Sequence, residues 1–180
     1  MRQMVINKGG NEEINKTYFN PSQSSLVFGG RIGQQINQWD HSLNYTRITK
    51  SGRYLMPREW GRDPFYTFLV GERNEGFGDL SAYVFKTKYT SKQYPLTMSG
   101  AIGYFNLPDI KNYALNKYSF PSYWQYNIDA RYALTGFWKG WEIQFIYFYK
   151  KASGNTYNEA KNYINKVDMG HFNFILNFHF

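Results

Sequence analysis

Between Ser122 and Gly136 the chain alternates with almost no exception. Trp124, Tyr126, Ile128, Ala130, Tyr132 and Leu134 fall on one parity, and Gln125, Asn127, Asp129 and Arg131 fall on the other. Successive side chains of an extended strand point to opposite faces, so this segment has one oily face and one wet face. A helix has no such period, and the pattern therefore restricts the segment to a sheet with apolar surroundings on one side only.

The same pattern returns along the chain. It predicts strands at 25–36 ("SLVFGGRIGQQI"), 38–49 ("QWDHSLNYTRIT"), 77–89 ("FGDLSAYVFKTKY"), 94–106 ("YPLTMSGAIGYFN"), 122–136, 139–151 ("KGWEIQFIYFYKK") and 167–180, with a short piece at 1–7 as the end of another. In 139–151 the residues Trp141, Ile143, Phe145, Tyr147 and Tyr149 oppose Glu142 and Gln144, although Ile146 and Phe148 share the second face. In 77–89 the facing is ambiguous, because Leu80, Ala82 and Val84 oppose Tyr83 and Phe85. The final strand sets Phe172, Phe174, Leu176, Phe178 and Phe180 on one face, against His171, Asn173, Asn177 and His179, with Ile175 breaking the alternation.

The links between these segments alternate in length. Those before 25 and at 50–76, 107–121 and 152–166 are long, and those at 37, 90–93 and 137–138 are tight. Tight turns at one end and long links at the other describe an all-β, antiparallel up-and-down wall of the transmembrane β-barrel kind. Segments of roughly 12 residues match the roughly 9–11 that cross a bilayer at a tilt. Trp124, Tyr126, Trp138 and Trp141 stand at strand ends, where interfacial aromatic girdles form. A soluble β-sandwich or lipocalin-like barrel shows similar alternation but seldom exposes so many rings.

Composition agrees with that expectation. Aromatic residues make up 21% of a chain that is polar on average. No window holds the roughly 18 apolar residues of a membrane helix, which excludes a helical membrane protein and leaves β-barrels open. The formal charge of +8 is spread along the chain rather than massed on one element, so nucleic acid is not expected as a partner. With no Cys, disulfides and thiolate metal sites are excluded. "MRQMVINKGGNEE" has no apolar stretch behind its positive charge, so no signal peptide is visible and an outer-membrane protein of this sequence is expected to be a fragment or a mature form. Residues 1–180 read as a single domain without a linker.

Four stretches carry more than periodicity: "SGRYLMPREWGRDPFYTF", "GERNEGFGDLSAY", "FWKGWEIQFIYFYKK" and "VDMGHFNFILNFHF". Together they resemble the OprD family of outer-membrane porins, particularly those of Bacteroidota, over most of the chain from about Asn20 to Phe180. The resemblance implies a barrel of about 18 strands, of which this chain supplies the C-terminal seven or eight. It implies passive diffusion of small polar or charged solutes, among them amino acids and small peptides. It also implies that the strand bearing Phe172, Phe174, Leu176, Phe178 and Phe180 is the signal read by the barrel-assembly machinery. Outer-membrane lipid and lipopolysaccharide are the expected surroundings.

The link at 50–76 holds Arg53, Arg58, Glu59, Arg62, Asp63, Glu72, Arg73 and Glu75 among aromatic and Gly residues. A loop this long is usually functional or disordered, and this one is too aromatic for a flexible linker. It is expected to fold into the barrel mouth and to present both signs of charge to a passing solute. The resemblance adds rows of lumenal Arg that guide a solute carboxylate, and Arg31, Arg47 and Arg131 occupy strand positions that could join such a row. Catalysis is not expected: Glu59 with Asp63, and Glu72 with Glu75, stand beside arginines that make salt bridges the simpler explanation. His41, His171 and His179 are too few and too scattered for a metal site, and no cofactor is implied. The alternative to a porin is a complete eight-stranded barrel, whose interior would be filled by side chains, acting as an anchor or adhesion module.

Overall fold

The computed structural model describes residues 24–55 and 63–180, together with the backbone at 5–6 and 16–17. Two short strands come first, β1 (Val5–Ile6) and β2 (Lys16–Thr17). They pair with each other as a separate antiparallel ribbon, so the piece at 1–7 is not part of the main sheet. The main sheet contains β3 (Val27–Ile36), β4 (Trp39–Ile48), β5 (Leu80–Thr90), β6 (Leu96–Asn106), β7 (Tyr123–Ala133), β8 (Trp141–Ala152) and β9 (Met169–Phe178). A 3₁₀ turn (Gly136–Trp138) and a single-turn helix α1 (Ala160–Tyr163) complete the described elements.

All seven expected strands form, with ends displaced by up to three residues. They lie in sequence order β3-β4-β5-β6-β7-β8-β9, each antiparallel to the next. The sheet is open: β3 and β9 each have a single neighbour. After six antiparallel steps these two edge strands run in the same direction.

Register turns the alternation into two chemically distinct faces. Leu43, Phe85, Ile102 and Tyr126 form one cross-strand row, and Tyr45, Tyr83, Tyr104 and Trp124 form the row above it. These rings and branched chains are largely open to the surroundings, as are Ile32 at 73%, Phe172 at 69% and Phe174 at 67% exposure. Within this apolar face His41 and Thr87 are directly opposed and satisfy each other, with Thr87 Oγ1 2.9 Å from His41 Nδ1. The other face carries rows such as Asp40, Lys88, Ser99 and Asp129, or Ser42, Lys86, Ala101 and Asn127. The ambiguity in β5 resolves here: Tyr83 and Phe85 join the apolar face, while Leu80, Ala82 and Val84 are buried on the other.

Turns at one end are short. Asn37 adopts a left-handed conformation (φ 54) between β3 and β4, which an Asn tolerates. Between β5 and β6 the Ser91 hydroxyl accepts the Gln93 and Tyr94 amides. The β7–β8 connection is longer than the two residues expected, because β7 ends at Ala133. Gly136 (φ 66) opens a 3₁₀ turn there, and the ladder resumes where the Leu134 amide reaches the Trp141 carbonyl at 2.7 Å.

The long links after β4, β6 and β8 emerge at the opposite end, and their described residues fold over the polar face. Ile48, Leu80, Ala82, Val84, Phe105 and Tyr123 of the sheet meet Leu69, Phe77, Leu107 and Val167 of the links in one buried cluster. Phe105 is fully buried and stacks on Tyr123 with ring centroids 4.8 Å apart. The apolar residues that interrupt the polar face at this end are therefore the seat of the links.

Candidate functional site

The link from β4 to β5 comes back across the polar face, and residues 63–76 are seated on it. The seating rests on backbone carbonyls of the loop, which point away from the loop's own donors and need partners when buried. Strand side chains provide them. Lys86 Nζ donates to the Phe68 carbonyl at 2.8 Å, and Gln125 Nε2 and Asn127 Nδ2 donate to the Val70 carbonyl at 2.7 and 3.0 Å. Lys150 Nζ donates to the Gly71 carbonyl. The hydroxyls of Thr46 and Thr67 meet at 2.8 Å.

Two glycines make the approach possible. Gly71 has φ +85, and a Cβ there would lie 2.6 Å from the Phe148 ring, so this position excludes other residues on both counts. A Cβ on Gly103 would meet Phe105 at 2.8 Å and Leu69 at 3.1 Å. Its absence leaves the space into which Leu69 of the loop descends.

The loop's acids hold its own shape. Glu72 Oε2 accepts the Leu69 amide at 2.9 Å while the Glu72 amide donates to the Leu69 carbonyl at 3.0 Å. Asp63 Oδ2 accepts the Asn74 amide at 2.8 Å. Glu75 accepts from Tyr118 Oη at 2.7 Å and from Lys117 Nζ at 3.3 Å, which ties the loop to the next link, and Arg73 stands 3.6 Å from the same carboxylate. Burial pushes the Glu72 carboxyl up to about 8, against the Leu69 amide that favours the charged form; the nearby Asp63 adds to the rise. Asp63 is raised as well, chiefly by burial. Glu72 Oε1 has no hydrogen-bond partner.

Between the loop and the sheet lies a cavity of about 620 Å³. Phe65, Tyr66 and Phe68 line it from the loop, and Arg31, Asp40, Lys88, Asn127 and Asp129 are among the polar-face residues that line it from the sheet. Its charges are mostly paired: Arg31 with Asp40 at 3.4 Å, and Asp129 with Arg131 at 3.1 Å. Three basic side chains (Arg31, Lys86 and Lys88) and three acidic ones (Asp40, Asp63 and Asp129) line it, and of these Lys88 has no side-chain hydrogen-bond or ion-pair partner among the described residues. Tyr66 is 56% exposed and overhangs the β3 side.

The chain matches no family model, no curated protein and no solved structure.

Placed on this geometry, the expected site residues divide into four groups. Asp63, Glu72, Arg73 and Glu75 belong to the seated loop, and Arg53 lies half-buried in the same link. Arg58, Glu59 and Arg62 lie outside the described residues. Arg31 and Arg131 are both on the polar face, four strands apart, but they do not share a row: the register sets Arg31 level with Gln125, six residues along β7 from Arg131. Arg47 is not on their face. It shares the parity of Leu43 and Tyr45, falls on the apolar face at the link end, and pairs there with Asp79 and with Ser81 at 3.0 Å.

Lys86, Lys88, Lys150 and Gln125 were missed as a group. Their signal was present as parity, since all are polar residues on the face opposite Tyr83, Phe85, Tyr126 and Tyr149. Among the described residues no three His, Cys, Asp or Glu side chains gather as a metal site. Phe172, Phe174, Leu176 and Phe178 share the apolar face of the edge strand β9, and Phe180 follows it fully exposed.

Proposed function

We propose that this sheet is part of the wall of an outer-membrane β-barrel porin of the OprD type, which lets small polar or charged solutes diffuse through a passage narrowed by the seated loop. The observation that carries it is the pairing of an exposed face of rings and branched chains with a polar face that holds a loop over a charged cavity. Exposed apolar surface on this scale marks a membrane or protein contact rather than a solvated face. The long strands of the sheet, 10–12 residues each, span a bilayer at a tilt. The mutual bond of His41 and Thr87 reduces the cost of two polar groups on a lipid-facing surface.

An open edge is not viable in lipid, so the wall must be closed. Because β3 and β9 run the same way, antiparallel closure needs an odd number of further strands. A barrel of about 18 strands needs about eleven more and an eight-stranded one needs a single one. Parity suits both, but room favours the larger barrel. An eight-stranded barrel is filled by its own side chains, whereas this polar face carries a loop and a cavity of about 620 Å³ besides. On this reading the acyl chains and lipopolysaccharide of the outer membrane surround the apolar face, and the aromatic β9 is presented to the barrel-assembly machinery.

Lys88 tests the passage. In planar bilayers the pore should conduct, and Lys88→Glu should shift its ion preference toward cations while leaving folding intact, since the Lys88 side chain makes no hydrogen bond or ion pair among the described residues. A protein that inserts yet does not conduct, or a preference unmoved by the charge reversal, would contradict the proposal.

A further inference from the structure

The grip that seats the loop is built around one acid. Lys86 and Lys150 flank Glu72 from β5 and β8, yet both spend their ammonium groups on the loop carbonyls of Phe68 and Gly71, and neither reaches ion-pair distance of the carboxylate. Glu72 is only 7% exposed, keeps a single hydrogen bond to Oε2, and has a buried Oε1 with no partner. A carboxylate so enclosed is poorly compensated when ionised, whereas the neutral acid loses little by burial. The other ionisable groups around it are Asp63 from the loop, Tyr123 from β7, and Arg31 from β3 beyond Lys86.

We propose that Glu72 is a proton-operated catch: with its carboxyl protonated the turn Phe68–Glu72 sits on the wall, and loss of that proton lifts the turn off Lys86, Gln125 and Lys150 and widens the passage beneath. The inference rests on the loop's seat and deepens the porin reading by naming how the passage is regulated. The direction follows from linkage. The seated loop raises this acid from 4.5 to about 8, so the seated state binds the proton more tightly than the lifted one. Seating is strongest below about pH 4.5, weakens as pH rises, and reaches its weakest above about pH 8. The hinge is available at Gly71, where a left-handed backbone already interrupts the chain.

Hydrogen exchange on the full-length protein in detergent micelles reads the catch without any need for conduction. After correction for intrinsic exchange, peptides covering residues 63–76 should open about a hundredfold more readily at about pH 9 than at about pH 6, while the β7–β8 hairpin does not change. Glu72→Gln keeps the size of the side chain and cannot ionise, so its loop should stay protected across the range. Equal pH profiles in wild type and Glu72→Gln, or a wild-type loop indifferent to pH, would overturn the proposal. Should Glu72→Gln fail to fold, the double variant Thr46→Cys/Thr67→Cys retains Glu72 and decides the matter. Oxidised, it should lose the pH response, and reduced it should regain it; a response that persists in the oxidised form would overturn the catch. A pH-dependent loop in a protein that does not conduct would sink the porin reading and spare the catch, and a conducting protein with a pH-indifferent loop would do the reverse.

Discussion

Phe105 shows how much of this molecule depends on single side chains. It is fully buried at the point where the loop, the next link and three strands converge, with the Tyr123 ring stacked on it at 4.8 Å. Removing a buried ring costs the transfer energy of its atoms and leaves a cavity that the sheet cannot collapse. Phe105→Ala should therefore destabilise the protein by about 3–5 kcal/mol, read as a shifted midpoint in urea unfolding from detergent. Trimming an exposed ring of the opposite face, such as Tyr83, should cost far less in the same assay. This contrast was only half legible in the sequence. Phe105 and Tyr104 are adjacent aromatics, and parity assigns them to opposite faces, but nothing in the local pattern says that the polar face at Phe105 is covered by the distant link that carries Leu69. Arg47 failed for the opposite reason: its charge suggested the polar face, while its parity with Leu43 and Tyr45 put it on the other.

At the scale of elements, the loop 63–76 behaves as a part of the sheet on which it is seated. Its carbonyls are bonded by Lys86, Gln125, Asn127 and Lys150, and its threonine meets another across a strand. Since the Thr46 and Thr67 hydroxyls are 2.8 Å apart and the chain has no native Cys, Thr46→Cys/Thr67→Cys should close a disulfide in high yield under mild oxidation. Low yield, with both thiols free to alkylation, would mean that the loop is not seated as described. The strands themselves were legible because each keeps its period of two over 10–12 residues and needs only local information. The role of the loop was legible as length and aromatic content, but the partners of its carbonyls were not. They are set by long-range register, which places Gln125 beside Lys150 and Asn44 beside Val84 across the sheet. The β7–β8 connection was misjudged because Leu134 continues the apolar parity after the ladder has given way to a turn at Gly136.

For the whole molecule, the strongest constraint is that one sheet carries two chemically distinct faces. Its apolar face offers rows of rings and branched chains with few polar groups, and its polar face offers paired charges beneath a loop. The absence of matching families and structures means that this division, not kinship, bears the functional argument. On the proposed reading, closing the sheet takes an odd number of further strands between β9 and β3. The most direct test of the central claim is a nitroxide scan of β7, one Cys at a time from Tyr123 to Ala133, in protein reconstituted in lipid. Labels at 124, 126, 128, 130 and 132 should collide with oxygen dissolved in the acyl chains, and those at 125, 127, 129 and 131 with a water-soluble nickel chelate or with neither where the loop covers them. Accessibility that does not alternate with residue parity, or oxygen contact on the face of Gln125 and Asp129, would contradict the account.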